Sequence, residues 1–376
     1  MNAHRAHNLA AWDAAVLDAR RLVARAQKCR AYQFADGFDN YNTPAEMYEF
    51  VTGTAPISSS YARFAPPAGL PGQGIKFATS GAAVRKTLPS NISTAIVKCS
   101  FYVSQLPPAG PISSFLSLQN SGVDYCNFLV TAAGGIGIRS GLGSPTIIDQ
   151  TGPGVLAPGW YGIEVEVILS PTAGAVTIWV NGLQVAVWTL LNLTGSSINQ
   201  VEIGDISGGG LNGWYADDFR VWDTSGSTQN APIGVSGFDS RIITKLPSGA
   251  GAATNFTPNG AAANWQCVDD NPPDGDTTYV SGATVGLTDA YAMPSAGLTA
   301  APLMVVARSY VRRDDAGPRQ LAVGVSSSGF TGLGSAINLG SSYAFIDGCI
   351  ALDPDTSSAW TAAGADAAQH FKEEIA

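Results

Sequence analysis

The chain has 376 residues, a formal net charge of −9, 13% charged residues, 43 glycines and 22 prolines. That length suggests about two domains, and the composition excludes a helical bundle or a disordered chain while fitting many short strands joined by turns. The charge is uneven. Residues 1–31 hold six basic and two acidic side chains, leaving 14 basic and 27 acidic for the body, which excludes the body as a nucleic-acid binder because phosphate neutralisation needs a basic surface.

Residues 3–30 carry the long helical pattern, free of Gly and Pro and rich in Ala, Leu and Arg. Leu9, Trp12, Val16, Ala19, Val23 and Ala26 recur at alternating spacings of three and four, an apolar seam about three heptads long. A helix standing ahead of a β-rich body cannot bury such a stripe alone. It is expected to self-associate or dock, the plainer alternative being packing on its own domain. Its basic face either meets an acidic partner or is simply solvated. No run of about 18 apolar residues predicts a membrane span, and the N-terminus lacks the apolar core of a signal peptide. Cys29, Cys99, Cys126, Cys267 and Cys349 are widely spaced and lack zinc-site spacing. Buried free thiols made in a reducing cytosol are expected.

From Tyr32 the period changes to two. "AIVKCSFYV" (95–103) puts Val97, Cys99, Phe101 and Val103 on one face. "YCNFLV" (125–130) and "GGIGIRS" (134–140) read as a hairpin. In "GIEVEVIL" (162–169), Ile163, Val165, Val167 and Leu169 share one face, with Glu164 and Glu166 on the other. "AVTIWV" and "LQVAVW" flank Asn181-Gly182, a strong hairpin signal because both turn positions need positive φ. "NQVEIG" (199–204) and "ADDFRVW" (216–222) complete an antiparallel set expected to form two packed sheets. Residues 224–237 have linker composition. A second β-rich block follows, with strands expected at 240–246, 303–313 and 320–327 and a closing helix capped by Ser358 or Thr361. The expected organisation is a helix at 1–31, a sandwich at 32–226 and a smaller sandwich-like domain at 238–376.

Trp160-Tyr161, Val176 to Gly182, Val201-Glu202-Ile203-Gly204 and Asp217 to Trp222 follow in an order that resembles the laminin-G-like, concanavalin A-like jelly roll, with "FADGFDNYN" (34–42) as its opening strand. The C-terminal stretches "DSRIITKLPSGAGAATNFTP" and "LDPDTSSAWTAAGADA" resemble a β-domain of structural proteins of tailed bacteriophages. The pairing implies a virion protein of the fibre, spike, tail or head-decoration kind, assembled in the bacterial cytoplasm. It also implies a non-enzymatic homo-oligomer, first expected as a trimer, that contacts capsid, portal or tail proteins and host surface polysaccharide. A lectin-like module contacting host glycans is the alternative, and a glycan hydrolase the second.

Each chemistry has candidate residues. Hydrolase jelly rolls carry three carboxylates at i, i+2 and i+4. Glu164 and Glu166 supply two, flanked by Gly162 and Ile168, and the ordinary reading is a pair of solvent-facing acids. His4, His7 and His370 are the only histidines and all fall in expected terminal helices; His4 and His7 at i, i+3 make at most a weak metal pair. The resemblance implies no cofactor beyond a structural calcium ion, for which Asp36, Asp39 and Asp217 are the candidates, with Asp218 beside them. The alternative is hydrogen bonding at strand ends. Asp269, Asp270, Asp274 and Asp276 form a weaker calcium candidate. By strand parity Trp179, Trp188 and Trp222 point away from the core faces, as a sugar-stacking patch or a face covered by other chain. On a regular strand, Asp217 and Asp218 point to opposite sides.

Overall fold

The computed structural model describes residues 31–109, 113–140, 146–226, 230–234 and 240–376. The seam Leu9, Trp12, Val16, Ala19, Val23 and Ala26, together with His4 and His7, lies outside them. The described residues fall into two compact units, 31–244 and 245–376, both mainly β.

The first unit has fifteen strands: β1 (Tyr32–Asp36), β2 (Phe50–Thr52), β3 (Ile57–Ser58), β4 (Gly74–Lys76), β5 (Ala83–Ile92), β6 (Thr94–Val103), β7 (Ser113–Asn120), β8 (Val123–Val130), β9 (Ile136–Arg139), β10 (Asp149–Gln150), β11 (Gly159–Ile168), β12 (Ser170–Val180), β13 (Leu183–Leu193), β14 (Ile198–Gly204) and β15 (Tyr215–Trp222). Sheet one runs β13-β12-β11-β6-β15-β4-β3, and β1 pairs with the far half of β15; sheet two runs β10-β9-β8-β7-β14-β5-β2. Every ladder is antiparallel.

The alternation seen in the sequence builds the core. Val97, Phe101, Ile163, Val165, Val167, Val176 and Ile178 of sheet one are buried, as are Val84, Leu116, Leu118, Phe128, Ile138, Val201 and Ile203 of sheet two. Each such side chain contributes roughly 1.5–3 kcal/mol on leaving water. Phe101 meets Phe115 of sheet two edge to face, with centroids 5.4 Å apart. The Asn181-Gly182 turn takes φ of 54° and 76°, the two positive values its hairpin requires.

The second unit has a sheet ordered Gly249–Thr254, Thr288–Ala292, Gln369–Glu374, Gln320–Ser327, Phe330–Leu333, and Ile337–Asn338 also pairs with Gln320–Ser327. A ribbon of Val305–Val311 and Ala344–Ile350 packs on it through Leu321, Val323, Val325, Ile346 and Ile350. The one α-helix among the described residues is Ala362–Ala367, whose cap Thr361 accepts from the Gly364 amide at 2.9 Å.

Four expectations change. Residues 240–246 are not a strand: they join no ladder, the Ile242 amide donates to the Asp218 carboxylate instead, and the first unit runs on to Thr244. His370 lies in strand Gln369–Glu374 rather than a helix, because the helix stops at Ala367 and the chain joins the sheet. Cys349 is disulfide-bonded rather than a free thiol, while Cys99, Cys126 and Cys267 are free and buried. Glu164 is buried rather than solvent-facing, for the reason given next.

Candidate functional site

The outer face of sheet one is built as successive rows across the strands, fixed by register. Strand β15 is bulged. Asp217 pairs with Ser100 and Arg220 with Lys98, so three steps on β15 match two on β6. Asp218 supplies the extra residue, with φ of 54°. Phe219 still reaches the core, but Asp217 and Asp218 no longer lie on opposite faces: both reach the outer side, where Ser100 Oγ donates to Asp218 Oδ2 at 3.1 Å.

Two rows of that face form a buried polar layer. One holds Gly162, Ser100 and Asp217; the next holds Trp179, Glu164, Lys98, Arg220 and Ala35. Chain segments lie over them and satisfy them. Glu164 accepts the Ile233 and Gly234 amides, each at 2.8 Å. Asp218 accepts the Ile242 amide at 2.6 Å. Arg220 donates to the Ser240 carbonyl at 2.8 Å and Lys98 to its hydroxyl at 2.7 Å. Asp217 accepts the Arg63 amide at 2.8 Å and the Asp218 amide at 2.7 Å. Burial governs the titration here. It pushes Asp217 up to about 9, with the Asp218 charge adding to it, and Asp39 up to about 7. It also lowers Lys98 to about 8, assisted by Arg220. Burial thus favours the protonated form of both carboxyl groups, and the Asp218 charge acts in the same direction on Asp217.

The row beyond this layer is different. Trp160 of β11 pairs with Tyr102 of β6, Tyr102 with Tyr215 of β15, and Tyr215 with Lys76 of β4. Directly paired residues share a face, so four adjacent strands present three aromatic rings and an amine in one line. All four residues are half-buried. The Tyr102 and Tyr215 rings stack with centroids 5.0 Å apart at 19°, and Trp160 lies 5.5 Å from Tyr102. Tyr61 joins from the short 3-10 turn Ser59–Tyr61, 4.8 Å from Tyr215. Lys76 Nζ stands 5.8 Å from the centroids of both Tyr61 and Tyr215.

This row was not among the residues expected to bind sugar. Trp222 is buried against Ile96, Ala31 and Ile233, with Nε1 donating to the Ala231 carbonyl at 3.2 Å. Trp188 pairs with Val176, a core residue, because the β12–β13 ladder skips Val185 and so inverts the parity of β13. Trp222 keeps the outer face but is covered there, and Trp179 stays on that face half-buried beside Gly234. The three tryptophans thus form no common patch.

The calcium candidates are likewise divided. Asp36 pairs with core-facing Phe219 and accepts from Tyr41 and Tyr48 hydroxyls and the Phe38 amide. Asp39 accepts the Gln73 amide at 2.7 Å and the Thr244 hydroxyl at 2.6 Å. Asp217 faces the other side of the sheet from Asp36. Hydrogen-bond donors face all three, and among the described residues no group of three or more His, Cys, Asp or Glu is arranged to hold a metal. In the acidic loop, Asp270 and Asp274 accept from Thr278, and Asp276 pairs with Arg312 at 2.8 Å.

Sheet two also has a polar outer row: Arg85, Glu202, Ser117, Asn127 and Arg139 align across β5, β14, β7, β8 and β9. Much of it closes on itself, through Gln119 to Glu202 at 2.6 Å and Arg85 to Gln119 at 3.0 Å. Among the described residues, fully buried Asn127 has no hydrogen-bond partner at either side-chain atom.

No family model matches the chain, and no curated protein matches it. Among solved structures it is similar to Trypanosoma rangeli sialidase, at 12% identity over 55% of this chain and 31% of that one, with a TM-score of 0.32. It is similar to domain 4 of AbnA, a GH43 extracellular arabinanase from Geobacillus stearothermophilus in complex with arabinotriose, at 14% identity over 46% and 76%, TM-score 0.32. It is also similar to a cellulose induced protein, Cip1, at 12% identity over 50% and 96%, TM-score 0.35. The chain spans under a third of the sialidases' length. At these TM-scores the likenesses carry no argument about its chemistry.

Proposed function

We propose that residues 31–244 form a non-enzymatic carbohydrate-binding domain whose platform is the row Trp160, Tyr102, Tyr215 and Lys76, extended by Tyr61. The register that aligns three half-buried rings and an amine across four strands carries this reading. Aromatic faces take the apolar face of a sugar ring, while polar groups at the margin fix its hydroxyls. The adjacent rows are closed by chain segments, which supports the aromatic row as the working part of this face. A non-enzymatic role is supported at Glu164, whose two oxygens are both occupied by backbone amides.

The test is a glycan panel run on the full chain with wild type, Trp160→Ala and Tyr215→Ala. Each substitution is expected to weaken binding about ten-fold or more, the loss typical of an aromatic anchor. Unchanged affinity in both would remove the proposal. Incubation of the same panel is expected to show no cleavage, and turnover lost in Glu164→Gln would restore the hydrolase reading.

That such a domain works on a virion, contacting host polysaccharide, is a reading supported by the resemblance of the C-terminal stretches to phage structural proteins. Homo-oligomerisation is supported by the seam from Leu9 to Ala26, and a trimer is the first expectation from the resemblance to phage fibres and spikes. Size measurement of the full chain beside a chain lacking residues 1–31 tests the oligomer; an unchanged size sinks it.

A further inference from the structure

We infer that the sugar taken by this row carries a carboxylate, received by Lys76, so that the ligand class is an acidic, uronate-type polysaccharide. The inference rests on the platform proposed above and adds the charge of its ligand. Lys76 is the one charged side chain in a row whose other members, Trp160, Tyr102, Tyr215 and Tyr61, are neutral. Its amine stands 5.8 Å from the centroids of Tyr61 and Tyr215, and among the described residues it has no ion-pair partner. The acid of the neighbouring row, Asp217, already accepts two backbone amides. A lysine held against two aromatic rings is a cation placed where a ligand's anion can meet it with little loss of side-chain freedom.

The geometry also fits the shape of a uronate. Adjacent strands lie about 4.8 Å apart, close to the breadth of one pyranose ring. A hexuronate carboxylate projects sideways from the ring edge, so a residue lying along the row over the Tyr215 position can direct it toward β4 and Lys76. The body's net negative charge does not exclude a polyanion, because exposed charges more than roughly 8–10 Å away are screened at physiological salt.

The experiment uses the full chain with hexamers of galacturonate, of mannuronate and of glucuronate, each beside its carboxyl-reduced neutral counterpart. Wild type, Lys76→Gln and Trp160→Ala are titrated at 0.15 M salt. At least one uronate hexamer is expected to bind about ten-fold tighter than its reduced form. Lys76→Gln should erase that preference while keeping the neutral binding, and Trp160→Ala should weaken both forms. Equal affinity for the acidic and reduced hexamers, or a preference that survives in Lys76→Gln, overturns the inference but leaves the platform standing if Trp160→Ala still weakens both. No binding to any hexamer overturns the inference and leaves the platform to the glycan panel, whereas binding that ignores Trp160→Ala overturns the inference together with the platform. Unaltered thermal melts of Lys76→Gln exclude misfolding as the cause.

Discussion

Asp217 and Asp218 lie side by side under chain, and their protons are tied to folding. An acid whose folded pKa is raised favours the fold below its unfolded pKa near 3.8, and that contribution is lost as pH rises to the folded value, about 9 for Asp217 and about 7 for Asp39. The first unit's melting temperature is therefore expected to fall between pH 4 and pH 9, and Asp217→Asn should flatten that fall. Parallel melting profiles for the two proteins across this range would contradict it. Trp222, once a sugar-binding candidate, is a core residue: Trp222→Ala should cost about 3–5 kcal/mol of stability, measured by denaturant unfolding. Asn127 offers the opposite sign. Its buried amide has no partner among the described residues, so Asn127→Val should leave stability unchanged or raise it by about 1 kcal/mol; a loss above that size would show that the amide is satisfied in solution.

At the scale of elements, alternation was readable and register was not. Ile163, Val165 and Val167 announced their buried face, and Asn181-Gly182 its hairpin, because period and turn chemistry are local. The bulges at Asp218 and Val185 each insert one residue, and one residue exchanges the two faces of a strand. That is why Asp217 and Trp188 face the sides opposite to those parity gave them. The aromatic row was hidden for the same reason: Tyr102, Trp160 and Tyr215 sit on strands far apart in sequence, and only pairing brings them into line. Residues 230–234 and 240–244 read as linker and strand, since nothing local signals that buried side chains will take their amides. That pinning has a test. Glu164→Gln should speed hydrogen exchange at the Ile233 and Gly234 amides about 10- to 100-fold, as expected for losing charge-assisted bonds of about 1.5–3 kcal/mol. Exchange as slow as in wild type would show that Glu164 does not hold the segment.

At the scale of the whole molecule, two β-rich units share one chain, and the functional argument belongs to the first of them. There, one sheet face is sealed over its charged rows and half-open over its aromatic row, so the fold itself distinguishes the part that is filled from the part that can accept a ligand. The most direct test is a titration of the full chain with the tightest-binding oligosaccharide, comparing wild type, Trp160→Ala and Trp179→Ala. Both tryptophans are half-buried on the same outer face, but only Trp160 belongs to the row. An affinity loss of about ten-fold or more for Trp160→Ala, with no more than about two-fold for Trp179→Ala, is the predicted result. Loss confined to Trp179→Ala, or absent from both, would contradict it.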